Sequence, residues 1–333
     1  MKYFSTVCLL LTVCMALIAS SCGQAPSTAE DNRIRVILDT DCNNELDDQH
    51  ALAYMVFNGD VFDIEGITVN NTRSGGGIDG HYDEAVRVLT LCSRHPQITV
   101  YKGATASYDE IVGDIENPGF DGSEAVDFII KQAKMKSDRP LVLLPVGKLT
   151  NIALAIKKDP SIIPNIRVVW LGANYPEPGE YNLDNDITSV NPVIDSGVRF
   201  EIVTVRYGKP SGTDAVKASI EEIKRIMPGK GPHISPAIEG RHGGSFTNFG
   251  DYSIDLFVNY KQDSRPLFDM AAVAIVKNGQ WADRVELPAP KLVGNGWEDR
   301  PENPHKIVIW ENFDRDGIMN DFYDRMEHYV LPE

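Results

Sequence analysis

Short apolar runs alternate with stretches of helical spacing along most of the chain from residue 33 onward. Arg35–Leu38, Phe62–Val69 and Leu141–Val146 have the length and apolar character of buried strands, whereas Tyr82–Cys92 has a helical apolar face. Leu141–Val146 is almost wholly apolar, as is typical of a central strand in a parallel sheet. The repeated alternation predicts an α/β fold, a doubly wound and mostly parallel sheet with helices on both faces.

Residues 207–262 interrupt this rhythm with a segment that is rich in glycine, histidine and aromatic residues. The segment predicts a helical lid inserted into the fold, because the apolar alternation returns afterwards with a helix at Pro266–Val276. A last strand is expected at Lys306–Trp310 and a last helix around Asp316–His328, after a proline-rich link. With no internal repeat, residues 33–333 are interpreted as one domain.

The N-terminal residues have the character of an export signal. Met1-Lys2 precedes an apolar run that is short for a membrane span, and small residues then lead to Cys22. Residues 1–22 therefore resemble a bacterial lipoprotein signal peptide, with Cys22 as the site of lipidation, and residues 23–32 form a small, polar tether. Cleavage without lipidation near Ser21 is the alternative. We expect an exported periplasmic or cell-surface protein that is attached to a membrane only through Cys22.

The net charge of the chain argues against some classes of binding partner. Asp and Glu number 48 against 32 Lys and Arg, which gives a formal net charge of −16. Nucleic-acid binding requires clustered basic residues that neutralise phosphates, so this balance argues against a nucleic-acid partner. The same excess of acids is compatible with a bound cation.

Acidic side chains are densest in the segment from Asp39 to Asp48, directly after the first apolar strand. Ligands of parallel α/β sheets bind at the carboxyl ends of the strands, where this segment is expected to lie. Crowded carboxylates repel one another, and a hard divalent cation such as Ca²⁺, which prefers oxygen ligands, removes that repulsion. A solvated turn, with Asp47 and Asp48 as favourable charges at a helix N-terminus, is the simpler alternative.

Several collinear motifs resemble the nucleoside hydrolase family of the inosine-uridine preferring type. Asp39-x-Asp41 followed by Asp47-Asp48 is similar to the family's Asp-x-Asp-x-Gly-x-Asp-Asp fingerprint, although this chain has two more residues between the acid pairs and no glycine there. Further segments match in the family's order: Gly66–Asn71, Val146–Ala153, Glu180-Tyr181-Asn182 with Asp186, and Phe268–Ala274. The resemblance covers roughly residues 33–280 and identifies the chain as a divergent, lipoprotein-type member.

The resemblance implies a function and a set of roles. It implies a Ca²⁺-dependent hydrolase that releases a base from a nucleoside or related ribosyl compound by means of metal-activated water. Asp41 would be both a metal ligand and the general base. The other implied metal ligands are Asp48, Asp269 and the backbone carbonyl of Val146. The implied substrate contacts are Asp47, Asn71 (or Asn70), Asn174, Glu180 and Asn182. The family also suggests a homo-oligomer, a dimer or a tetramer.

The chemistry of N-glycosidic cleavage suits these residue types. The transition state carries positive charge at the anomeric carbon, which nearby carboxylates stabilise. A carboxylate next to a metal ion is also suited to remove a proton from water.

One position departs from the family pattern. The family often has a histidine directly before the metal-binding aspartate, which protonates the departing base, and Phe268 stands there in this chain. His242 in a glycine-rich loop is our candidate for the missing leaving-group acid, with Tyr252 and Tyr175 as alternatives. His242 as an ordinary surface histidine is the simpler interpretation.

Two other functions stay open at this point. Phe268 favours a non-catalytic sugar-binding lipoprotein that keeps the metal site but has lost turnover. Asp39-Thr40-Asp41 after a strand also resembles the nucleophile motif of haloacid-dehalogenase phosphatases, although Asn43 stands where that motif has Thr or Val.

Overall fold

The computed structural model describes residues 31–333. The predicted signal peptide (1–22), the lipidation site Cys22 and residues 23–30 of the predicted tether lie outside the described residues. Within residues 31–333, no helix is both long enough and apolar enough to span a membrane.

The strands and helices of the described chain follow the expected alternation. The strands are β1 Ile34–Thr40, β2 Phe62–Val69, β3 Val100–Lys102, β4 Leu141–Pro145, β5 Ile166–Ala173, β6 Arg199–Thr204, β7 Lys217–Ser219, β8 Ile238–Glu239, β9 Ser245–Phe246, β10 Ser264–Pro266, β11 Asp283–Pro288, β12 Lys291–Val293, β13 Gly296–Glu298 and β14 Lys306–Glu311. The helices are α1 Asp47–Val56, α2 Gly77–Leu91, α3 Tyr108–Ile111, α4 Ser123–Ala133, α5 Thr150–Lys158, α6 Tyr181–Asn185, α7 Val190–Ile194, α8 Ile220–Ile226, α9 Phe249–Tyr260, α10 Phe268–Lys277 and α11 Arg315–Glu327.

An eight-stranded sheet forms the centre, in the order β11-β14-β6-β5-β4-β1-β2-β3. Neighbouring strands are parallel except for β11, which runs antiparallel to β14. The central position of β1 and β4 explains their apolar sequences, because both faces of these strands are buried. The predicted α/β class is confirmed.

Helices cover both faces of the sheet, as the side chains of β1 illustrate. Val36 and Leu38 belong to an apolar cluster with residues of α1, α2, α10 and α11, whereas Ile37 belongs to a second cluster with residues of α4 and α5. Because successive side chains of a strand point to opposite faces, β1 contributes to both cores. Its carboxyl end, at Thr40, is therefore held in place from two sides.

The predicted lid segment is present as an inserted, partly helical unit. The antiparallel pair of β7 with β10 closes it, and α8, the β8–β9 hairpin and α9 lie between these two strands. The guanidinium of Arg241 donates hydrogen bonds to the backbone carbonyls of Asn43 (3.1 Å) and Glu45 (2.8 Å). These bonds connect the insertion directly to the acidic segment.

The C-terminal part contains strands that the sequence pattern did not indicate. Residues 283–288 form the edge strand β11, and β12 pairs with β13 in a small hairpin, where only a proline-rich link is predicted. Asp283, Arg284, Val285 and Glu286 are all exposed in β11. An exposed edge strand has no buried face, so its sequence lacks the apolar alternation by which strands are recognised.

Candidate active site

Three buried carboxylates meet where two helices begin. Asp47 and Asp48 lie in the first turn of α1, and Asp269 lies in the first turn of α10, which packs against α1. One oxygen from each carboxylate lies within 4.8 Å of the others. We call Asp47, Asp48 and Asp269 the acidic cluster. Helix N-termini favour negative charge, which explains in part why these positions accept acids.

The electrostatics of the acidic cluster favour a bound cation. Burial and repulsion from the Asp41 carboxylate raise the pKa of Asp47 to about 7. The pKa values of Asp48 and Asp269 are raised well above the usual range by burial and by repulsion from the neighbouring aspartates. The donor set consists only of oxygens and suits a hard divalent cation, which would remove this repulsion. The residues therefore fit a metal site.

The acidic cluster lines a cavity of about 100 Å³. Most of the predicted site residues line the same cavity: Asp41, Asp47, Asp48, Val146, Glu180, Asn182 and Asp269. They come from the ends of β1 and β4 and from the starts of α1, α6 and α10. The fold thus brings together residues from four distant stretches of the chain.

Asp41 lines the cavity but is not a member of the acidic cluster. It is buried, and its Oδ2 accepts a hydrogen bond from the hydroxyl of Thr72 at 2.5 Å. Burial raises its pKa to about 6, although the bond from Thr72 opposes this shift. A carboxylate with a pKa near neutrality is suited to accept a proton. Asp47, predicted as a substrate contact, belongs to the acidic cluster, whereas the role of Asp41 as a metal ligand stays a prediction.

Glu180 and Asn182 also line the cavity. Glu180 precedes α6, and its carboxylate accepts hydrogen bonds from the backbone N–H groups of Asn182 and Leu183 and from the Tyr207 hydroxyl at 3.2 Å. The side-chain amide of Asn182 donates to the carbonyls of Val146 (2.8 Å) and Leu171 (3.0 Å). Both side chains are thus held rigidly at the cavity surface.

Two predicted substrate contacts and the predicted leaving-group acid lie outside the cavity lining. Asn71 donates to the carbonyl of Thr105 at 3.4 Å, and the backbone N–H of Asn174 donates to Gly179. His242 lines an adjoining cavity, with Nδ1 at 3.1 Å from an oxygen of Asp255. Their proposed roles remain predictions.

Asp39, the first acid of the motif, is an internal structural residue. It is fully buried and accepts hydrogen bonds from Thr68 (2.6 Å), Asn70 (2.5 Å) and Asn151 (2.7 Å). The alternative choice of Asn70 as a substrate contact is thus disfavoured, because its amide is bound to Asp39. A phosphatase of the haloacid-dehalogenase type needs an accessible nucleophile at this position, and Asp39 does not line the cavity.

Arg265 is a residue of the cavity that the sequence did not reveal. Its guanidinium forms an ion pair with Glu45 and lies 3.6 Å from Asp47. The guanidinium carbon also lies over the rings of Phe268 (5.0 Å) and Tyr260 (4.9 Å). Its only sequence signal is its place three residues before Phe268. Long-range pairing with Glu45 cannot be deduced from that spacing.

Comparisons with known proteins identify the family. The model of the inosine-uridine preferring nucleoside hydrolase family matches residues 36–320. A pyrimidine-specific ribonucleoside hydrolase RihB of Escherichia coli O157:H7 is 30% identical over 289 residues, covering 79% of this chain and 84% of the relative. The RihB of Shigella sonnei is 26% identical over the same length and the same shares of both chains.

Solved structures agree in fold. The purine-preferring ribonucleoside hydrolase of Gardnerella vaginalis has a TM-score of 0.66 at 21% identity, covering 88% of this chain and 98% of its own. An inosine-guanosine nucleoside hydrolase has a TM-score of 0.68 at 16% identity, covering 90% of this chain and 100% of its own. Fold and site together define an N-glycosyl hydrolase. The chain belongs to the inosine-uridine preferring nucleoside hydrolase family.

Proposed function

We propose that the protein is a Ca²⁺-dependent hydrolase of ribosyl N-glycosidic bonds, which releases the base from a nucleoside or a related ribosyl compound. The observation that carries this proposal is the convergence of Asp47, Asp48 and Asp269 within 4.8 Å at one cavity. Asp41, Glu180 and Asn182 line the same cavity. The membership of the family supports the reaction class.

The acidic cluster would hold the cation, and the carbonyl of Val146 is a further candidate ligand. A divalent cation in such a site supplies Lewis-acid polarisation and orientation of oxygen groups when it is bound. Asp41 is the proposed general base, because it is a buried carboxylate of raised pKa that is oriented by Thr72. Glu180 and Asn182 are the proposed contacts for sugar hydroxyls. The carboxylates that line the cavity would also stabilise positive charge at the anomeric carbon.

A panel of nucleosides tests the proposal. Purified protein is incubated with uridine, cytidine, inosine, adenosine and guanosine, with added Ca²⁺ or with a chelator, and the released base is measured by chromatography. Release that depends on Ca²⁺ is expected for at least one nucleoside. Equal release in the presence of the chelator would contradict the metal dependence.

A non-catalytic sugar-binding protein is the second candidate, because Phe268 lines the cavity at the family's leaving-group position. This candidate requires binding of ribose or a nucleoside by calorimetry without release of base in the panel.

The proposed location depends on the sequence of residues 1–32. Export and lipidation at Cys22 would attach the enzyme to a membrane and allow it to act on nucleosides outside the cytoplasm. The dimer or tetramer that the family resemblance suggests is likewise a proposal, which a mass measurement in solution would test.

A further inference from the structure

The departing base must be stabilised by a group other than the residue at position 268. When the glycosidic C–N bond breaks, its electron pair moves to the base, and negative charge develops there. Phe268 has no donor for this charge, and its ring contacts that of Tyr207 edge to face, with 5.8 Å between the centroids. The predicted acid His242 lies in the adjoining cavity and is paired with Asp255.

Among the described residues that line the acidic cavity, only Arg265 is basic. Its side chain is 14% exposed, and the rings of Phe268 and Tyr260 lie against the guanidinium. The hydroxyl of Tyr260 lies 2.9 Å from Nη1. The guanidinium is therefore positioned next to the ring that replaces the family's histidine, on the cavity side of α10.

One N–H group of the Arg265 guanidinium has no hydrogen-bond partner among the described residues. A guanidinium has five N–H groups and no acceptor. Nη1 contacts Tyr260, and Nη2 contacts Glu45 and Asp47, whereas the buried Nε has no hydrogen-bond partner among residues 31–333. A buried donor without a partner costs free energy and favours a ligand that accepts its hydrogen bond.

We propose that Arg265 stabilises the departing base in the reaction assigned above under Proposed function, on which this inference rests. The oxygen of water bonds to the anomeric carbon, and Asp41 accepts a proton from that water. The C–N bond breaks, and both of its electrons remain on the base. The base leaves as an anion that accepts a hydrogen bond from Arg265, and it takes a proton from solvent after release. Arg265 thus acts as an electrostatic stabiliser, because a guanidinium does not give up its proton in proteins.

The proposal predicts that the effect of Arg265 depends on the leaving group. Uridine has a base that departs poorly without help, whereas the nitrophenolate of 4-nitrophenyl β-D-ribofuranoside is a stable anion. Removal of a donor that faces developing charge costs about 10²–10³ in kcat. Arg265→Gln should therefore lower kcat on uridine, or on the best nucleoside of the panel, by about that factor. On the nitrophenyl riboside it should lower kcat by less than about tenfold, since this leaving group needs no such donor.

Arg241→Gln is the matched control. Arg241 also contacts the acidic segment through the carbonyls of Asn43 and Glu45, but it does not line the acidic cavity. Any displacement of the segment in this variant should change the two rates by the same factor. Arg265→Lys keeps a cationic donor and should restore part of the rate on the nucleoside. If Arg265→Gln does not fold, Arg265→Lys tests the inference by a smaller loss of kcat that is still greater on the nucleoside than on the nitrophenyl riboside.

Each result is decisive. An equal loss on both substrates in Arg265→Gln would show a purely structural role and overturn the inference. Wild-type hydrolysis of the nitrophenyl riboside but of no nucleoside would overturn the role of Arg265 and leave the protein a glycoside hydrolase. Hydrolysis of neither substrate would overturn the proposed function itself.

Discussion

Asp48 and Asp269 lie in the first turns of two packed helices, with one oxygen of each carboxylate within 4.8 Å of the other. The pKa of Asp269 is raised by burial and by repulsion from Asp47 and Asp48. Two buried acids in contact are unfavourable unless a proton or a cation lies between them. The chain maintains this arrangement with a third acid, Asp47, in the same cluster. The proximity of these carboxylates lowers the free energy of unfolding, and it is therefore best explained by a ligand that carries positive charge.

Binding of Ca²⁺ should accordingly stabilise the folded protein. A ligand at a hundred times its Kd raises the free energy of unfolding by about 2.7 kcal/mol. We expect Ca²⁺ to raise the thermal unfolding midpoint of protein that a chelator has freed of metal, as measured by calorimetry. Mg²⁺ at equal concentration is the comparison ion.

Asp269→Asn is the variant that tests the site of this effect. The chelated variant should be at least as stable as the chelated wild type, because one of three repelling carboxylates is gone. The increase in thermal midpoint that Ca²⁺ causes in the wild type should be largely lost in this variant. The same increase in both proteins would place the ion elsewhere.

Asp41→Asn should abolish most of the hydrolysis while the fold is retained. A positioned general base contributes about 10²–10⁴ to the rate, and an amide cannot accept the proton. We expect kcat to fall by that factor, with an unchanged circular dichroism spectrum. Asp79→Asn, at an exposed position of α2, is the matched control and should keep the wild-type rate. Unchanged release of base by Asp41→Asn would remove Asp41 from the mechanism.

The sequence predicted the fold and most of the cavity because these depend on strong local signals. Apolar runs such as Leu141–Val146 indicate buried strands, and the order of the motifs placed Asp269 with the acids of the first loop. Spacing alone could not decide which carboxylates would meet. Asp47 lies in the acidic cluster and Asp41 beside it, because the turn after β1 and the hydroxyl of Thr72 set the direction of each side chain.

The position of Arg265 in the cavity could not be predicted for a different reason. Its neighbours in the sequence indicate only that a helix is about to begin. Its contacts with Glu45 and Tyr260 depend on how the insertion of residues 207–262 packs against α1. The edge strand β11 was missed because an exposed strand lacks an apolar face.

Lipidation at Cys22 predicts where the protein is found after cell fractionation. A diacylated cysteine anchors a protein stably in a membrane, whereas the described domain has no helix that could do so. Wild-type protein should be recovered with the membranes and should incorporate labelled palmitate. Cys22→Ala should lose the label, whereas Cys92→Ala, at a buried thiol of the core, should keep it. Label in the Cys22→Ala protein would contradict the prediction.

Glu180 should control the acid side of the pH profile. Burial raises the pKa of Glu180 to about 7, and the hydrogen bond from the Tyr207 hydroxyl lowers it. If the ionised carboxylate holds a sugar hydroxyl, kcat/KM should fall as the pH drops below about 7, because the group becomes protonated. Tyr207→Phe removes the bond that favours the charged form, so this limb should move to higher pH. Tyr175→Phe, whose hydroxyl lies 3.5 Å from Asp299, is the control and should not move it.

Glu180→Gln completes this test because it removes the charge altogether. A hydrogen bond to a charged group is worth about 1.5–3 kcal/mol, so kcat/KM should fall roughly 10- to 100-fold at pH 8. The acid limb that Glu180 causes should also disappear from the pH profile of this variant. A profile that keeps the wild-type limb in both Glu180→Gln and Tyr207→Phe would assign that limb to another group. It would also exclude Glu180 as the titrating contact of the sugar.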